Sequence, residues 1–189
     1  MKNIFVPFGS TDRIIKTSAI QYFHQAEIKD EFGKYIGLLG KKVLISGGTK
    51  ALRSIENPLI TSLEKSEIDW EKIPFHGECC SENISVIADK IEETKPDVMV
   101  GIGGGKSLDT AKAAASATQI PIVCIPTIAA TCAAVTPVSI LYSREGAFKQ
   151  ILYLPASPNL VMVDTSVIAK APKEYLVSGI FDALAKWYE

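Results

Sequence analysis

Short apolar runs recur through the middle of the chain, each bounded by polar or glycine-rich residues. Three of them predict buried strands: residues 41–48 (KKVLISGG), 97–102 (DVMVGI) and 121–127 (PIVCIPT). Each run is short, and each leads into glycines or a proline.

The stretches that follow the first two strands have helical periodicity. Residues 81–94 place Ile84, Ile87 and Ile91 on one face, and residues 106–118 carry five alanines in helix-favouring positions. Strands that alternate with helices predict an α/β fold, in which a parallel sheet is covered by helices on both faces.

The pattern changes after Thr127. Residues 138–154 hold two apolar runs around Arg-Glu-Gly and predict a β-hairpin or a long excursion from the sheet. Residues 159–165 (NLVMVDT) return to a buried strand. From Pro172 to the last residue, the sequence predicts an amphipathic helix.

Composition excludes several classes of partner. The chain has 189 residues, 47% of them apolar, and a formal net charge of −1, which argues against binding to nucleic acid or to an anionic membrane. No apolar run reaches the roughly 18 residues of a membrane span, and the N-terminus lacks a signal-peptide pattern. The expected partner is a small molecule, and assembly into a homo-oligomer is left open.

The cysteines point to a reducing compartment. Cys79, Cys80, Cys124 and Cys132 have neither zinc-site spacing nor a Cys-x-x-Cys pair. We expect free thiols and a cytoplasmic location.

The stretch with the clearest chemistry is Gly103-Gly104-Gly105-Lys106-Ser107, between a predicted strand and a predicted helix. Such a turn presents unpaired amides and the positive end of a helix dipole to an anion, and Lys106 adds a charge. A phosphate or diphosphate is the expected ligand, and tight strand–helix packing is the alternative explanation.

Two familiar phosphate-binding motifs fail at this turn by one residue each. The P-loop needs a glycine where Val100 stands, and the Rossmann fingerprint needs one where Lys106 stands.

A wider pattern resembles a known family. GIGGGKSLDTAKAAA, PTIAATCAA and residues 157–189 resemble the glycerol-dehydrogenase-like branch of the iron-containing (metal-dependent) alcohol dehydrogenases, and LAKWYE with TCAAVTPVS is similar to the hydroxycarboxylate dehydrogenase subgroup. The resemblance implies a dehydroquinate-synthase-like dinucleotide-binding domain over residues 1–168. Residues 169–189 would then begin an all-helical domain of which only the first helix is present.

The resemblance also implies roles for individual residues. Gly104, Gly105, Lys106 and Ser107 would hold the cofactor diphosphate, and Cys132 would contact substrate where glycerol dehydrogenases carry an aspartate. The positions that would line the nicotinamide and its ribose are Thr127, Thr136, Val138 and Tyr142. Taken singly, each of these four could equally be a turn or core residue.

Asp182 matches an aspartate that binds the catalytic divalent metal, zinc or iron. The alternative interpretation is that Asp182 faces solvent and pairs with Lys186. The family completes this site with two histidines, but His24 and His76 are the only histidines in the chain and match neither position. One carboxylate cannot hold a catalytic metal that wants three protein ligands, so we expect a truncated chain that is inactive alone.

The predicted strand at residues 41–48 ends in Gly47 and Gly48, followed by Thr49 and Lys50, where relatives that use NAD carry an aspartate. Glycines, a hydroxyl and a lysine can accept a 2′-phosphate, with Arg53 as a second cation, which favours NADP(H) over NAD(H). A plain glycine turn beside a solvated lysine is the alternative.

The complete enzyme is therefore expected to be an oxidoreductase that moves a hydride between NAD(P)(H) and a small 2-oxo or 2-hydroxy acid or a polyol. The alternatives are glycerol dehydrogenase proper, a lyase of the dehydroquinate-synthase type, and a non-catalytic nucleotide-binding fragment. No general base stands out. Asp109 and Lys112 are expected to be structural or close to the cofactor.

Overall fold

A computed structural model describes residues 21–188. Within this part, six parallel strands form one sheet in the order β1-β8-β5-β4-β2-β3, and β6 and β7 form a separate antiparallel hairpin. The strands are Gln21–Gln25 (β1), Lys42–Gly48 (β2), Asp69–Phe75 (β3), Val98–Gly103 (β4), Ile122–Pro126 (β5), Val138–Tyr142 (β6), Phe148–Tyr153 (β7) and Leu160–Asp164 (β8). The helices are Glu31–Ile36 (α1), Thr49–Lys65 (α2), Ser81–Thr94 (α3), Gly105–Thr118 (α4), Thr165–Ala169 (α5) and Lys173–Tyr188 (α6).

Two apolar cores lie on opposite faces of the sheet, because successive strand residues point to opposite sides. Leu44 and Met99 pack with α3 and α4, whereas Val43, Ile45 and Val100 pack with α1 and α2. The predicted parallel sheet with helices on both faces is confirmed. The domain boundary after residue 168 stays a prediction, and its first 20 residues lie outside the described part.

The order of the central strands creates a crevice at the carboxyl edge of the sheet. β2 lies between β3 and β4, so the chain that leaves β2 moves outward while the chain that leaves β4 moves to the other side. α2 covers one face and α4 the other. Ligands of open α/β sheets bind at this kind of reversal point.

Asp164 connects the start of α5 with the segment that follows β1. It caps α5 by accepting a hydrogen bond from the Ser166 amide at 2.9 Å, and it accepts the amides of Glu27 at 3.1 Å and Ile28 at 2.9 Å. Burial raises the pKa of this carboxyl, but these hydrogen bonds favour the ionised form more strongly, so the net pKa is lowered.

Candidate functional site

The turn between β4 and α4 has the geometry of an anion-binding site. Gly103 has a φ of +141°, a backbone conformation that requires glycine. α4 begins at Gly105, and the first amide bonded back along the helix is that of Leu108, which donates to Gly104 O at 3.0 Å. The amides of residues 105–107 therefore belong to the helix turn that has no intrahelical acceptors. The helix dipole adds positive potential at the same place.

The turn between β2 and α2 lies beside it. Gly47 pairs in register with Ile102, and a Cβ on Gly47 would come within 2.9 Å of Ile102 O, so close strand packing accounts for this glycine. Gly48 has nothing within 4 Å of its missing side chain and faces the crevice. Thr49 and Lys50 are exposed in the first turn of α2.

A cavity of about 850 Å³ opens at these two turns. Most of the residues predicted to bind cofactor, substrate or metal line it: Gly48, Gly104, Gly105, Lys106, Ser107, Cys132, Thr136, Val138, Tyr142 and Asp182. The fold therefore brings together ten positions that are up to 134 residues apart in the sequence (182 − 48). The volume of the cavity lies within the range of natural ligand pockets.

Four of the predicted cofactor residues do not line this cavity: Gly47, Thr49, Lys50 and Thr127. Thr127 is buried, with 6% of its surface exposed, and its amide donates to Gly103 O at 3.1 Å. Its observed contact joins the ends of β4 and β5. A cofactor contact by any of these four residues stays a prediction.

A buried ion pair fixes one wall of the cavity. Lys112, 1% exposed, donates to Ala133 O at 2.7 Å and to Val138 O at 2.5 Å, and its Nζ lies 3.0 Å from Asp109 Oδ1. Asp109 Oδ2 accepts the Ile140 amide at 3.1 Å. Burial raises the pKa of Asp109, and the nearby ammonium partly offsets that rise. The pair ties the loop before β6 to α4.

α6 closes another side of the cavity. Its Gly179 packs so tightly that a Cβ there would lie 2.0 Å from Ala129 O. Tyr175, Ser178 and Asp182 consequently line the cavity from one face of the helix. Sequence reasoning identified Asp182 but missed the other two, although their i, i+3 and i+7 spacing is a helical-face signal.

The described residues do not by themselves fit a catalytic metal. Asp182 forms an ion pair with Lys186, and no cluster of three or more His, Cys, Asp or Glu residues occurs within residues 21–188. His24 lies on β1 and His76 before α3, and both are exposed. Asp182 as one ligand of a larger set stays a prediction.

The cysteines divide into buried and accessible thiols. Burial raises the pKa of Cys79 and of Cys124 to about 12, so both are poor nucleophiles at neutral pH. Cys132 is exposed and lines the cavity. This position agrees with the predicted substrate contact, which stays untested.

Comparison with known proteins places the chain in a family. Residues 20–165 match the model of the iron-containing alcohol dehydrogenases. The chain belongs to this family. The predicted resemblance is thereby confirmed.

Relatives within the iron-containing alcohol dehydrogenases span more than one substrate class. A glycerol dehydrogenase of Escherichia coli is 38% identical over 178 residues, which are 94% of this chain and 48% of that protein. Hydroxycarboxylate dehydrogenase A of Escherichia coli is 31% identical over 186 residues, 98% of this chain and 48% of that protein. The chain thus spans about half the length of these curated relatives.

A solved structure shows the same architecture. A probable glycerol dehydrogenase from Sinorhizobium meliloti superposes with a TM-score of 0.84 at 33% identity, covering 94% of this chain and 48% of that one. The α/β dinucleotide-binding fold predicted from the sequence is confirmed. No helix within the described residues is long and apolar enough to span a membrane.

One contact at the glycine turn between β4 and α4 could not be predicted from the sequence pattern. Lys106 Nζ forms an ion pair with Glu78 Oε1, from the loop between β3 and α3. A lone glutamate in a loop has no diagnostic spacing, and only the tertiary fold brings it to the glycine turn.

Proposed function

We propose that this chain forms the nucleotide-binding half of a metal-dependent, NAD(P)-linked dehydrogenase of the iron-containing alcohol dehydrogenase family. The complete enzyme would move a hydride between the cofactor and a small 2-oxo or 2-hydroxy acid, or a polyol. The observation that carries this proposal is the glycine turn of β4–α4, which opens directly onto a cavity of about 850 Å³.

The cofactor diphosphate would lie over the amides of Gly105, Lys106 and Ser107. Backbone N–H groups at a helix N-terminus bind phosphate without the desolvation of a large side chain, and the Lys106 ammonium offsets part of the added negative charge. The nicotinamide supplies or accepts the hydride when it is bound. Val138 and Tyr142, on β6, line the same cavity and would shield that ring from water.

We propose NADP(H) as the preferred cofactor, on the basis of the turn between β2 and α2. Lys50 is exposed in the first turn of α2, Arg53 is exposed one turn further on, and Gly48 leaves open space at the crevice. This turn carries no acidic side chain that would repel a 2′-phosphate. A charge-assisted contact of this kind contributes roughly 1.5–3 kcal/mol, which corresponds to at least tenfold in affinity.

Calorimetry with NADPH and NADH tests this choice. NADPH is expected to bind more tightly, and Lys50→Met should remove about tenfold of that preference. Lys65→Met, at the other end of the same helix, is the matched control. Equal affinity of the wild-type chain for the two nucleotides would contradict the proposal.

For the substrate, we propose 2-oxo acids over polyols, because Cys132 replaces a charged acceptor in the cavity wall. A thiol neither repels a substrate carboxylate nor accepts strong hydrogen bonds from polyol hydroxyls. Glycerol is the alternative, and it is supported by the 38% identity with a glycerol dehydrogenase.

We propose that the chain is inactive on its own. Asp182 supplies one carboxylate, whereas a catalytic zinc uses three protein ligands and an open position. NADPH, a 2-oxo acid and Zn²⁺ or Fe²⁺ should give no loss of reduced-nicotinamide absorbance, although NADPH binds. Turnover would contradict the proposed inactivity, and binding without turnover also fits a non-catalytic nucleotide-binding module.

These two possibilities differ in their response to a second polypeptide. Co-expression with the remaining half of a glycerol dehydrogenase should restore turnover if the chain is half of an enzyme. A stable complex with no turnover would favour the non-catalytic module.

A further inference from the structure

The ammonium proposed to meet the cofactor diphosphate already has a partner in the protein. Lys106 Nζ forms an ion pair with Glu78 Oε1 across the space between α4 and the β3–α3 loop. The Lys106 side chain is 59% exposed, whereas that of Glu78 is 18% exposed. The carboxylate is therefore the more enclosed member of the pair.

Glu78 is held on two sides. The Asn83 side-chain amide donates to His76 O at 2.9 Å and to Glu78 O at 2.8 Å, which fixes the backbone of the loop. On the other side lies the tip of the β6–β7 hairpin, where a Cβ on Gly146 would be 3.8 Å from Glu78 Oε1. The lysine is a long, exposed side chain that can turn toward a ligand, while the glutamate has little room to follow.

We propose that Glu78 is an internal counter-anion that competes with the cofactor diphosphate for Lys106 and so determines nucleotide affinity. The inference rests on the proposed function, because it needs a phosphate ligand at the glycine turn. A carboxylate close to Lys106 neutralises the charge that attracts the diphosphate. Removing its charge should therefore strengthen binding.

The opposite role predicts the opposite result. If Glu78 served to hold Lys106 in its binding position, then Glu78→Gln would release the lysine and weaken nucleotide binding. The sign of the change thus separates competition from positioning.

The experiment compares Glu78→Gln with the wild-type chain, using ADP as the diphosphate probe and adenosine as the probe without phosphate. Glu78→Gln should bind ADP about two- to fivefold more tightly, the range expected when an exposed ion pair no longer competes. Adenosine affinity should not change. Unchanged or weaker ADP binding would overturn the proposal.

Glu82→Gln is the matched control, because Glu82 lies four residues further along, in the first turn of α3, and faces Arg144 Nε at 3.4 Å rather than Lys106. It should leave ADP affinity unchanged, and an equal gain would overturn the proposal by showing a general charge effect. Lys106→Gln in combination with Glu78→Gln should abolish the gain. A gain that persists without Lys106 would also overturn it.

Thermal unfolding of each variant shows whether the fold is retained. Where Glu78→Gln unfolds, Glu78→Asp serves instead: its shorter side chain should also tighten ADP binding by withdrawing the carboxylate from Lys106, and weaker binding would count against the proposal. Failure of the wild-type chain to bind ADP would overturn the proposed function together with this inference, whereas ADP binding that Glu78→Gln leaves unchanged would overturn this inference alone.

Discussion

Two lysines on α4 differ in burial, and we therefore expect them to have different roles. Lys106 is exposed and paired with Glu78, so it can exchange that partner for a ligand. Lys112 is 1% exposed and donates to carbonyl oxygens of the loop before β6, so it is fixed in place. In the proposed function the first would contact the cofactor diphosphate, whereas the second holds the cavity wall to the helix.

Replacing the buried lysine should therefore destabilise the fold. Lys112→Met leaves Asp109 and the loop carbonyls without their cation, and loss of one partner of a buried pair costs about 3–5 kcal/mol. Urea unfolding measures this loss. Lys65→Met, which removes an exposed pair with Asp30, should cost less than about 1 kcal/mol. Similar losses in the two variants would show that the Lys112 pair is not structural.

Asp164 should make stability dependent on pH. Its folded-state pKa lies below the ordinary value of 3.8, because hydrogen bonds to the carboxylate outweigh the effect of burial. A lowered pKa contributes stability above the unfolded-state pKa, and this contribution is lost as the pH falls from about 5 through the folded-state value. Asp164→Asn should be less stable at pH 7 by about 1–2 kcal/mol, because hydrogen bonds to a charged acceptor contribute more than those to a neutral amide oxygen, and it should lose less on acidification. Parallel unfolding curves between pH 7 and pH 3 would refute this account.

At the residue scale, the sequence indicates what chemistry a side chain can perform better than it indicates which residues that side chain contacts. The residue types from Gly103 to Ser107 predict an anion site, and the fold places that turn on a cavity. Gly47 and Thr127 are also typical of ligand-binding turns by residue type, yet Gly47 permits close strand packing and the Thr127 amide donates to Gly103 O. Residue type alone does not tell which side of a turn faces the ligand. The contact of Glu78 with Lys106 joins residues 28 positions apart and depends on the packing of α3 against α4.

At the scale of the elements, α4 lies unusually close to β4. A Cβ on Gly101 would come within 2.7 Å of the Ala111 Cβ, and Ala114 and Ala115, at i+3 and i+4 from Ala111, continue the small face of the helix. This close approach places the N-terminus of α4, with its unpaired amides, directly at the end of the strand. The glycine and alanines therefore set the position of the turn at which we propose that the anion binds.

Gly101→Ala should push the helix away from the strand. Overpacking of a tight core costs about 1–3 kcal/mol, and the displaced helix should also bind ADP more weakly. Gly48→Ala is the matched control: it has open space and a φ of −69°, so its stability should be near that of the wild type. Chemical unfolding and ADP titration together check both effects. Equal stability of the two variants would contradict the packing argument.

The sequence predicts best those elements whose apolar residues follow one regular pattern. β2, β4 and β5 are buried runs, α3 has a regular isoleucine stripe, and the hairpin is marked by its turn. β3 was not predicted, since it is an edge strand that mixes charged residues with Trp70 and Pro74. α2 was also not predicted, because Pro58 lies inside it.

At the scale of the whole molecule, α6 is the least covered element of the described part. Its apolar residues are mostly exposed, including Phe181 at 66% and Trp187 at 84%, and the chain spans about half the length of its curated relatives. Contiguous exposed apolar surface of this kind favours association. Asp182, which lines the cavity, is on the same helix.

The chain should therefore self-associate as its concentration rises. Phe181→Glu combined with Leu184→Glu should shift the protein toward the monomer in sedimentation velocity runs. Val86→Glu, at an exposed apolar residue on α3, is the control and should not. Unaltered sedimentation of the double variant would show that α6 is not an association surface.

A crystal structure of the chain with bound NADPH tests the central claim most directly. The account predicts that the diphosphate lies over the amides of Gly105, Lys106 and Ser107, with the nicotinamide directed toward Tyr142. A diphosphate bound away from the β4–α4 turn would contradict it.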